Sequence, residues 1–407
     1  MIVIKILPEK SFLIYLMLAG ILITSCTSNI PVSEPEVITP TESTLTPTST
    51  ATSQPSPTPT QIPSVTTVPT ATETLYEYGP DGFPPNINPL TGLVVDDPQI
   101  FQRRPVAIKV SNFPREGRPH AGLSSADIVF DYSIGEGTNR FLAIYYGQDA
   151  PLVGPIRSGR LVDAQLVRLY AGILGYAGAD PSLVDPTIQN SLGNRAIPKS
   201  EATCPGLCDH GFPSVFSVFA DTKQLSDYAI NVVGTGNTQY NLDGMLFNPQ
   251  LPDGDSPADQ ISILFNYYNR AGWQYDQDTG TYLRWIEEVD ADNNIKMIPL
   301  VDRNNNQQLE FNNLVILFAH YNEYAPTLHS IDIWNNLDGK PAILFRDGKK
   351  FDILWKTPDT DLPIQFIQTD GSPVSFKPGN SWIVVVGDSS SVKEGETGQW
   401  NVTFSIP

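Results

Sequence analysis

Two arginines stand at the start of a segment with helical spacing, where they could bind an anion. Residues 154–160 read Gly-Pro-Ile-Arg-Ser-Gly-Arg, and apolar residues recur at helical intervals over residues 161–170. A glycine-containing turn that enters a helix presents free N–H groups at the positive end of the helix dipole. The guanidinium groups of Arg157 and Arg160 suit a carboxylate or a phosphate. We therefore expect an anion-binding site here, with Ser158 between the two arginines.

Two further arginines, Arg118 and Arg140, lie in the same part of the chain and could converge on this segment. An alternative is that the arginines form ion pairs with the protein's own acidic residues. The nearby acids are Asp127, Asp131, Glu136 and Asp163. Since the chain carries a formal net charge of −19, acids are abundant and the charge balance favours ion pairs. The sequence leaves both interpretations open.

Catalytic residues are harder to identify. Asp127 and Glu136 could form a general acid and base pair, although carboxylates beside arginines are more often structural. Ser158 has no base at a recognisable spacing, and its surroundings lack the Gly-x-Ser-x-Gly pattern of a nucleophile elbow. The four histidines show no helical metal-ligand spacing: His120, His210, His320 and His329. The sequence therefore predicts no metal and no cofactor, and it identifies no catalytic residue.

The first 26 residues have the pattern of a lipoprotein signal. A short basic start precedes an apolar stretch, and the tetrapeptide Ile-Thr-Ser-Cys ends at Cys26. We expect residues 1–25 to be removed as a signal peptide and Cys26 to be lipidated, which would tie the protein to the extracytoplasmic face of the cell membrane. A transmembrane anchor is one alternative, but the apolar run is short for a span of about 20 residues. An ordinary cleaved signal, the other alternative, would not need a cysteine at the cut.

Residues 26–75 are expected to form a disordered stalk that begins at the lipidated cysteine. They consist mainly of Thr, Ser, Pro and Ala and contain no aromatic residue. Such a segment buries too little apolar surface to offset its conformational entropy. The acidic balance of the chain argues against nucleic acid as a partner. The expected partners are the lipid bilayer, through Cys26, and a cell-wall component or an envelope protein.

Two other cysteines, Cys204 and Cys208, are separated by three residues. A secreted context favours a disulfide between them. Free thiols are one alternative. A zinc site with His210 is another, but the usual ligand spacing and an evident fourth ligand are lacking.

We expect two domains after the stalk and an α+β fold. Residues 76–250 alternate strand and helix patterns and predict an α/β domain, whereas residues 258–407 are mostly β. The polar, Pro-rich stretch 248–257 would separate them. Predicted strands cover residues 105–110, 128–134, 141–146, 173–176, 314–318 and 382–386, predicted helices cover 161–170 and 214–229, and Asp-Gly pairs at 347–348 and 370–371 mark hairpin turns.

All the tryptophans fall in the second predicted domain: Trp273, Trp285, Trp334, Trp355, Trp382 and Trp400. An exposed row of indole rings on a β face would suit stacking against sugars. More often such residues fill a β core, because each buries a large apolar area.

Four blocks of sequence, in order, resemble the YerB-type lipoproteins of bacteria. They read Asn-Pro-Leu-Thr-Gly at 88–92, Arg-Arg-Pro-Val-Ala-Ile-Lys-Val-Ser-Asn at 103–112, Arg-Pro-His-Ala-Gly-Leu-Ser-Ser-Ala-Asp-Ile-Val at 118–129 and Val-Gly-Pro-Ile-Arg-Ser-Gly-Arg at 153–160. The end of the second domain, Pro-Gly-Asn-Ser-Trp-Ile at 378–383, is similar as well. The resemblance implies two domains of unassigned function and supplies no catalytic residue. The Cys204–Cys208 pair and the long stalk depart from the usual pattern.

The function that these observations favour is binding of an anionic envelope component by a surface lipoprotein. A peptidoglycan fragment, a peptide or another protein would fit, and the candidate ligand-binding residues are Arg118, Asp127, Glu136, Arg140, Arg157, Ser158 and Arg160. One alternative is an envelope hydrolase that uses the acidic residues of the first domain. Another is an envelope scaffold that binds no ligand.

Overall fold

The computed structural model describes residues 76–212, 215–236, 240–252 and 256–407. The predicted signal peptide, the lipidated Cys26 and the stalk of residues 26–75 lie outside these ranges. All the described residues belong to one compact unit. Among them, no helix combines the length and the apolar character that a membrane crossing requires.

Strands and short helices alternate in the first part of the chain. The strands are β1 (Val106–Ser111), β2 (Ile128–Gly135), β3 (Thr138–Tyr145), β4 (Ile173–Tyr176), β5 (Ala196–Pro198), β6 (Leu207–Asp209), β7 (Val218–Ala220) and β8 (Leu246–Phe247). The α-helices are α1 (Leu161–Leu169), α2 (Val184–Leu192) and α3 (Thr222–Tyr228), and α3 continues into a π-helical turn at Ala229–Val233. Single 3-10 turns lie at Pro98–Gln102, Arg115–Gly117, Leu123–Ser125, Gly193–Arg195 and Glu201–Thr203.

The second part of the described chain is built from strands. In order these are β9 (Ser256–Pro257), β10 (Gln260–Asn266), β11 (Asn269–Asp276), β12 (Thr281–Val289), β13 (Ile295–Pro299), β14 (Glu310–Phe311), β15 (Asn313–Ala319), β16 (Tyr321–Ala325), β17 (Leu328–Ile331), β18 (Lys340–Arg346), β19 (Lys349–Lys356), β20 (Gln365–Ile367), β21 (Ser375–Phe376), β22 (Ser381–Gly387), β23 (Ser391–Glu394) and β24 (Gln399–Thr403). The α+β class predicted from the sequence is therefore confirmed.

One mixed sheet of eleven strands runs through the described part of the molecule and takes strands from both parts of the chain. Its order is β20-β19-β18-β15-β22-β2-β3-β1-β4-β5, with β9 paired to β19. The two parts meet where β2 and β22 pair in parallel, with Ile128 opposite Ser381 and Tyr132 opposite Val385. Both strands are buried along their whole length. Such strands must be covered on both faces.

Helices cover one face of this central sheet and a second sheet covers the other. On β2, Phe130 and Tyr132 belong to the apolar cluster that includes the buried side of α1, whereas Val129 belongs to the cluster on the opposite face. This alternation follows from the two-residue period of a strand. The second sheet has the order β13-β12-β11-β10-β24-β23, with β14 paired to β12, and its inner face shares the second cluster.

A buried arginine helps to join the two sheets. The guanidinium carbon of Arg284, on β12, lies 4.3 Å from the ring centre of Trp273 and 5.0 Å from that of Trp382. Its Nη2 lies 3.8 Å from a carboxylate oxygen of Asp131, on β2. Burial outweighs the opposing charge of Arg284 and raises the pKa of Asp131 to about 6. Arg284 therefore connects the second sheet to strands β2 and β22 of the central sheet.

Most of the predicted elements are confirmed, but the predicted helix over residues 214–229 is wrong in its first half. The segment at Val218–Ala220 is strand β7, and it pairs with β6. The helix begins only at Thr222, because the Asp221 carboxylate accepts a hydrogen bond of 2.9 Å from the Gln224 N–H and caps it. The hairpin turn at 370–371 is confirmed, since Ile367 pairs antiparallel with Pro373 across it and the Val374 N–H donates to the Phe366 carbonyl at 3.0 Å. Strand β21, which follows, pairs in parallel with β8.

Half of the tryptophans fill the core. Trp273, Trp355 and Trp382 are buried, which confirms the packing role for these three. Trp285, Trp334 and Trp400 are half-buried. Trp285 lies on the outer side of the second sheet.

Candidate functional site

The arginine segment lies between the carboxyl ends of two parallel strands. Strands β1 and β4 pair in parallel through residues 106–108 and 173–175. Beyond these residues, the extended arginine segment lies between the two strands' chains and hydrogen-bonds to both. The Arg157 N–H donates to the Lys109 carbonyl at 2.9 Å, and the Arg157 carbonyl accepts from the Ala177 N–H at 3.1 Å. The segment then enters α1. The position at the carboxyl ends of parallel strands is the one where open α/β sheets commonly bind ligands.

The first turn of α1 is organised by a buried aspartate. One carboxylate oxygen of Asp163 accepts a 2.6 Å hydrogen bond from the Arg160 N–H. The other accepts from Lys109 Nζ at 3.1 Å and from the Tyr132 hydroxyl. The side chains of Lys109 and Asp163 have no exposed surface. Asp163 thus accepts a hydrogen bond at the start of α1 and forms an ion pair with Lys109.

Burial dominates the electrostatics of this lysine. It lowers the pKa of Lys109 to about 7, while the charge of Asp163 opposes the change and the charges of Arg140 and Arg160 reinforce it. Burial and then Asp163 raise the pKa of the Tyr132 hydroxyl well above its ordinary value. The pKa of Lys109, at the base of the site, therefore depends on the charges near it.

Three arginine side chains meet above this base: Arg140 from β3, and Arg157 and Arg160 from the segment. Arg140 is 7% exposed and donates through Nη1 to the Ser158 carbonyl at 2.6 Å. Arg160 donates through Nη1 to the Gly159 carbonyl at 3.0 Å. The Nε atoms of the three arginines are buried without a hydrogen-bond partner in the described structure.

The three guanidinium groups repel one another. Burial is the main cause that lowers the pKa of Arg140 to about 9, and the charges of Arg160 and Arg157 act in the same direction. Within the described ranges, no carboxylate oxygen lies within 4.0 Å of a guanidinium nitrogen of these arginines. The ion-pair alternative therefore does not account for this cluster, hereafter the arginine cluster of Arg140, Arg157 and Arg160.

Arg118 is placed elsewhere and does form an ion pair. Its Nη2 lies 3.0 Å from Oε1 of Glu287, whose side chain is fully buried, and its Nη1 donates to the Glu287 carbonyl at 2.9 Å. Arg115 contacts the same carboxylate at 3.0 Å. For Arg118, the contacts support the structural interpretation.

The two acids considered for catalysis are not brought together. Asp127 is buried just before β2 and accepts hydrogen bonds from the Asn88 side chain at 2.9 Å, the Gly147 N–H at 3.1 Å and the Tyr146 N–H. Burial raises its pKa to about 6, and these hydrogen bonds oppose the change. Glu136 is exposed in the turn that follows β2. An eight-residue strand, about 26 Å long, separates the two carboxylates.

Sequence reasoning missed Lys109 and Tyr132 as parts of the site, and it named Asp163 only as a possible ion-pair partner of the arginines. Lys109 carries the one signal that could have revealed it, since it is the only charged residue in the apolar run Val-Ala-Ile-Lys-Val. A lysine in a fully buried strand is rare unless it is paired. Its partner is 54 residues away, and nothing local indicates it.

Neither the cysteines nor any other cluster in the described ranges forms an evident metal site. No group of three or more His, Cys, Asp or Glu side chains is placed there to hold an ion. Cys204 and Cys208 have their Cα atoms 5.0 Å apart, with the sulfur atoms joined. This spacing fits the geometry of a disulfide.

Comparisons with known proteins give a family and a fold but no activity. The N-terminal domain of the "Protein of unknown function (DUF3048)" family matches residues 90–205, and its C-terminal domain matches residues 261–383. A Bacillus subtilis (strain 168) protein named "Putative lipoprotein YerB" is 27% identical over 328 residues, which cover 76% of this chain and 89% of that protein. The crystal structure of YerB from Bacillus subtilis is similar with a TM-score of 0.60 at 25% identity, covering 74% of this chain and 96% of that one. The first matched range includes the arginine cluster.

Proposed function

Since the chain belongs to the two-domain DUF3048 family of YerB-like proteins, we propose that it is a lipid-anchored envelope protein that binds an anionic component through the arginine cluster. The single observation that carries this proposal is the set of three adjoining guanidinium groups that have no carboxylate partner among the described residues. The anchor would be Cys26, at the end of the signal-like segment.

The charge balance of the cluster supports an anion as the ligand. In the part of the chain that the structure describes, three arginines and Lys109 lie near one carboxylate, Asp163, which already accepts three hydrogen bonds. Repulsion among buried cations is unfavourable, and an anion that binds all three guanidinium groups would relieve it. Because the chain carries a net charge of −19, an anion should be repelled by most of its surface and attracted to this cluster.

The available donors suit a ligand with several oxygen atoms. A guanidinium carries five N–H donors, and each of Arg140 and Arg160 uses only one of them on a backbone carbonyl. A carboxylate or phosphate accepts such donors in pairs. A peptide carboxylate or a cell-wall phosphate fits this chemistry.

The experiment measures binding of full-length protein in detergent micelles to isolated cell walls, with inorganic pyrophosphate and acetate as soluble competitors. Arg157→Ala combined with Arg160→Ala should weaken retention at least tenfold, because one charge-assisted hydrogen bond contributes about 1.5–3 kcal/mol. Pyrophosphate or acetate should release the wild type from the walls.

The matched control is Lys223→Ala combined with Lys296→Ala. These lysines are 63% and 67% exposed and lie outside the cluster, so the pair removes the same charge without touching the site. An equal loss of retention in both double variants would mean that overall charge explains the effect, and it would reject the site. An unfolded arginine variant, seen by circular dichroism, would show that these arginines serve the fold instead.

The hydrolase alternative is tested in the same incubation. Asp127→Asn and Glu136→Gln should leave retention unchanged, and no soluble wall fragments should appear with the wild type. Fragments that the wild type releases and these variants do not would reject a purely binding role.

A further inference from the structure

The outer face of the second sheet carries a row of side chains that lie in register across its strands. Gly272 lies opposite Trp285 on one side and Ser262 on the other. Ser262 lies opposite Asn401 on β24, and Asn401 lies opposite Lys393 on β23. Adjacent strands are about 4.8 Å apart, so the row from Trp285 to Asn401 spans roughly 14 Å.

The neighbouring row on the same face consists of three side-chain amides and one leucine. Gln274 lies opposite Leu283 and Gln260, and Gln260 lies opposite Gln399 on β24. Gln260 and Gln274 are exposed to solvent. Side-chain amides and hydroxyls both donate and accept hydrogen bonds. This part of the face is therefore polar without being charged.

The two rows border a depression of about 530 Å³, a volume within the range of small-molecule sites. Gly272 forms its floor, because it places no side chain between Trp285 and Ser262. A Cβ atom at this position would lie 3.4 Å from the Trp285 Cβ and 3.4 Å from the Met297 Cε, so these two side chains bound the space.

Trp285 is the side chain with spare binding capacity. It is half-buried, which leaves part of the indole open on the outer face. Its Nε1 is buried without a hydrogen-bond partner in the described structure, so the open part of the indole is apolar ring surface. Ser262 donates to Asn401 Oδ1 at 2.7 Å, so the polar side of the depression is ordered by its own contact.

We propose that this face binds a neutral oligosaccharide, with Trp285 as the stacking platform and the amides and hydroxyls of the adjoining rows as partners for the sugar hydroxyls. A sugar ring has an apolar C–H face and a rim of hydroxyls that are both donors and acceptors. The aromatic surface matches the first, and the polar rows match the second.

The chemistry of the face separates this ligand from the anion of the arginine cluster. The depression holds one cation, Arg270, whose Nε donates to the Tyr267 carbonyl at 3.1 Å. Its other polar side chains are Ser262, Gln260, Gln274, Asn401 and Thr403. An uncharged ligand rich in hydroxyls uses these groups fully, whereas an anion would use few of them.

Titration calorimetry of the full-length protein with chitotetraose, cellotetraose and maltotetraose tests the proposal. At least one of these neutral tetrasaccharides should bind with a dissociation constant in the millimolar range or below. Trp285→Ala should weaken that binding at least about tenfold, the loss expected when an aromatic contact surface is removed. Trp285→Phe should restore part of it.

A second variant and a control keep the test independent of folding. Gly272→Val should fill the depression and also weaken binding, since valine suits a strand and leaves Trp285 in place. Tyr324→Ala removes an aromatic side chain that is 62% exposed on β16, away from this face, and should change nothing. Absence of binding by all three sugars at 10 mM, a concentration well above about 1 mM, would overturn the proposal. Undiminished binding by folded Trp285→Ala and Gly272→Val would overturn it as well.

Discussion

The charge state of Lys109 is the most decisive quantity at the base of the arginine cluster. Burial acts to remove its proton, whereas Asp163, 3.1 Å away, acts to keep it. The structure gives burial the larger effect and lowers the pKa of Lys109 to about 7, from an ordinary value of 10.5. Replacing Lys109 by Met removes this titration while keeping a side chain of similar length.

The sign of the effect follows from proton uptake. Between pH 7 and 10.5 the unfolded chain binds a proton at this lysine that the folded protein has released, so the free energy of unfolding rises with pH. Below pH 7 both states hold the proton, and the contribution is level. The maximal slope is about 1.4 kcal/mol per pH unit. Since Met does not titrate, the stability of the wild type relative to Lys109→Met should increase by about 2 kcal/mol from pH 7 to pH 9.

Urea unfolding of both proteins at pH 6, 7, 8 and 9 measures this difference. Lys223→Met is the matched control, because Lys223 is exposed and its hydrogen bond with Asp227 raises its pKa. Both its folded and unfolded states keep their proton over this range, so its difference from the wild type should stay constant.

A constant difference for Lys109→Met would refute the reasoning. It would mean that Asp163 outweighs burial and that Lys109 stays charged in the folded protein. The charge state of Lys109 should also affect anion binding. If Lys109 loses its proton above pH 7, the positive charge beneath the arginine cluster falls, and affinity for pyrophosphate should decrease between pH 7 and pH 9.

Two predictions concern the cysteines. Cys26→Ser should abolish incorporation of labelled fatty acid, and incorporation by the variant would refute the lipid anchor. Cys204 and Cys208 should resist alkylation until a reductant is added, as intact mass would show; two alkylated thiols without reductant would refute the disulfide.

Local patterns predicted much of the fold, because the signals for individual strands and helices are local. The spacing over residues 161–170 predicted α1, and the continuous apolar runs predicted β15 and β22 as central strands. The pairing of β2 with β22 was not predictable in this way, since the two strands lie about 250 residues apart and each is buried on both faces. The sequence of neither strand indicates which strand it pairs with.

The candidate site was predicted in part for the same reason. Arg157 and Arg160 could be identified because both lie just before the start of a helix along the chain. The structure separates Arg118 from them and ties it to Glu287, which lies 169 residues further along. It adds Lys109 and Asp163, whose contact also depends on the fold. Arginines that are close in sequence are not thereby close in space.

The two candidate sites lie in different layers of the fold, and this separation makes their tests informative about each other. The arginine cluster adjoins α1 on the helical face of the central sheet, whereas Trp285 points away from that sheet on the outer side of the second one. Substitutions with no shared contacts act independently. Loss of the arginines should therefore leave tetrasaccharide binding unchanged, and loss of Trp285 should leave pyrophosphate binding unchanged. A cell-wall polymer that offers both sugars and anionic groups could engage both sites on one molecule, and its retention would then fall in either variant, because each contact raises the effective concentration for the other.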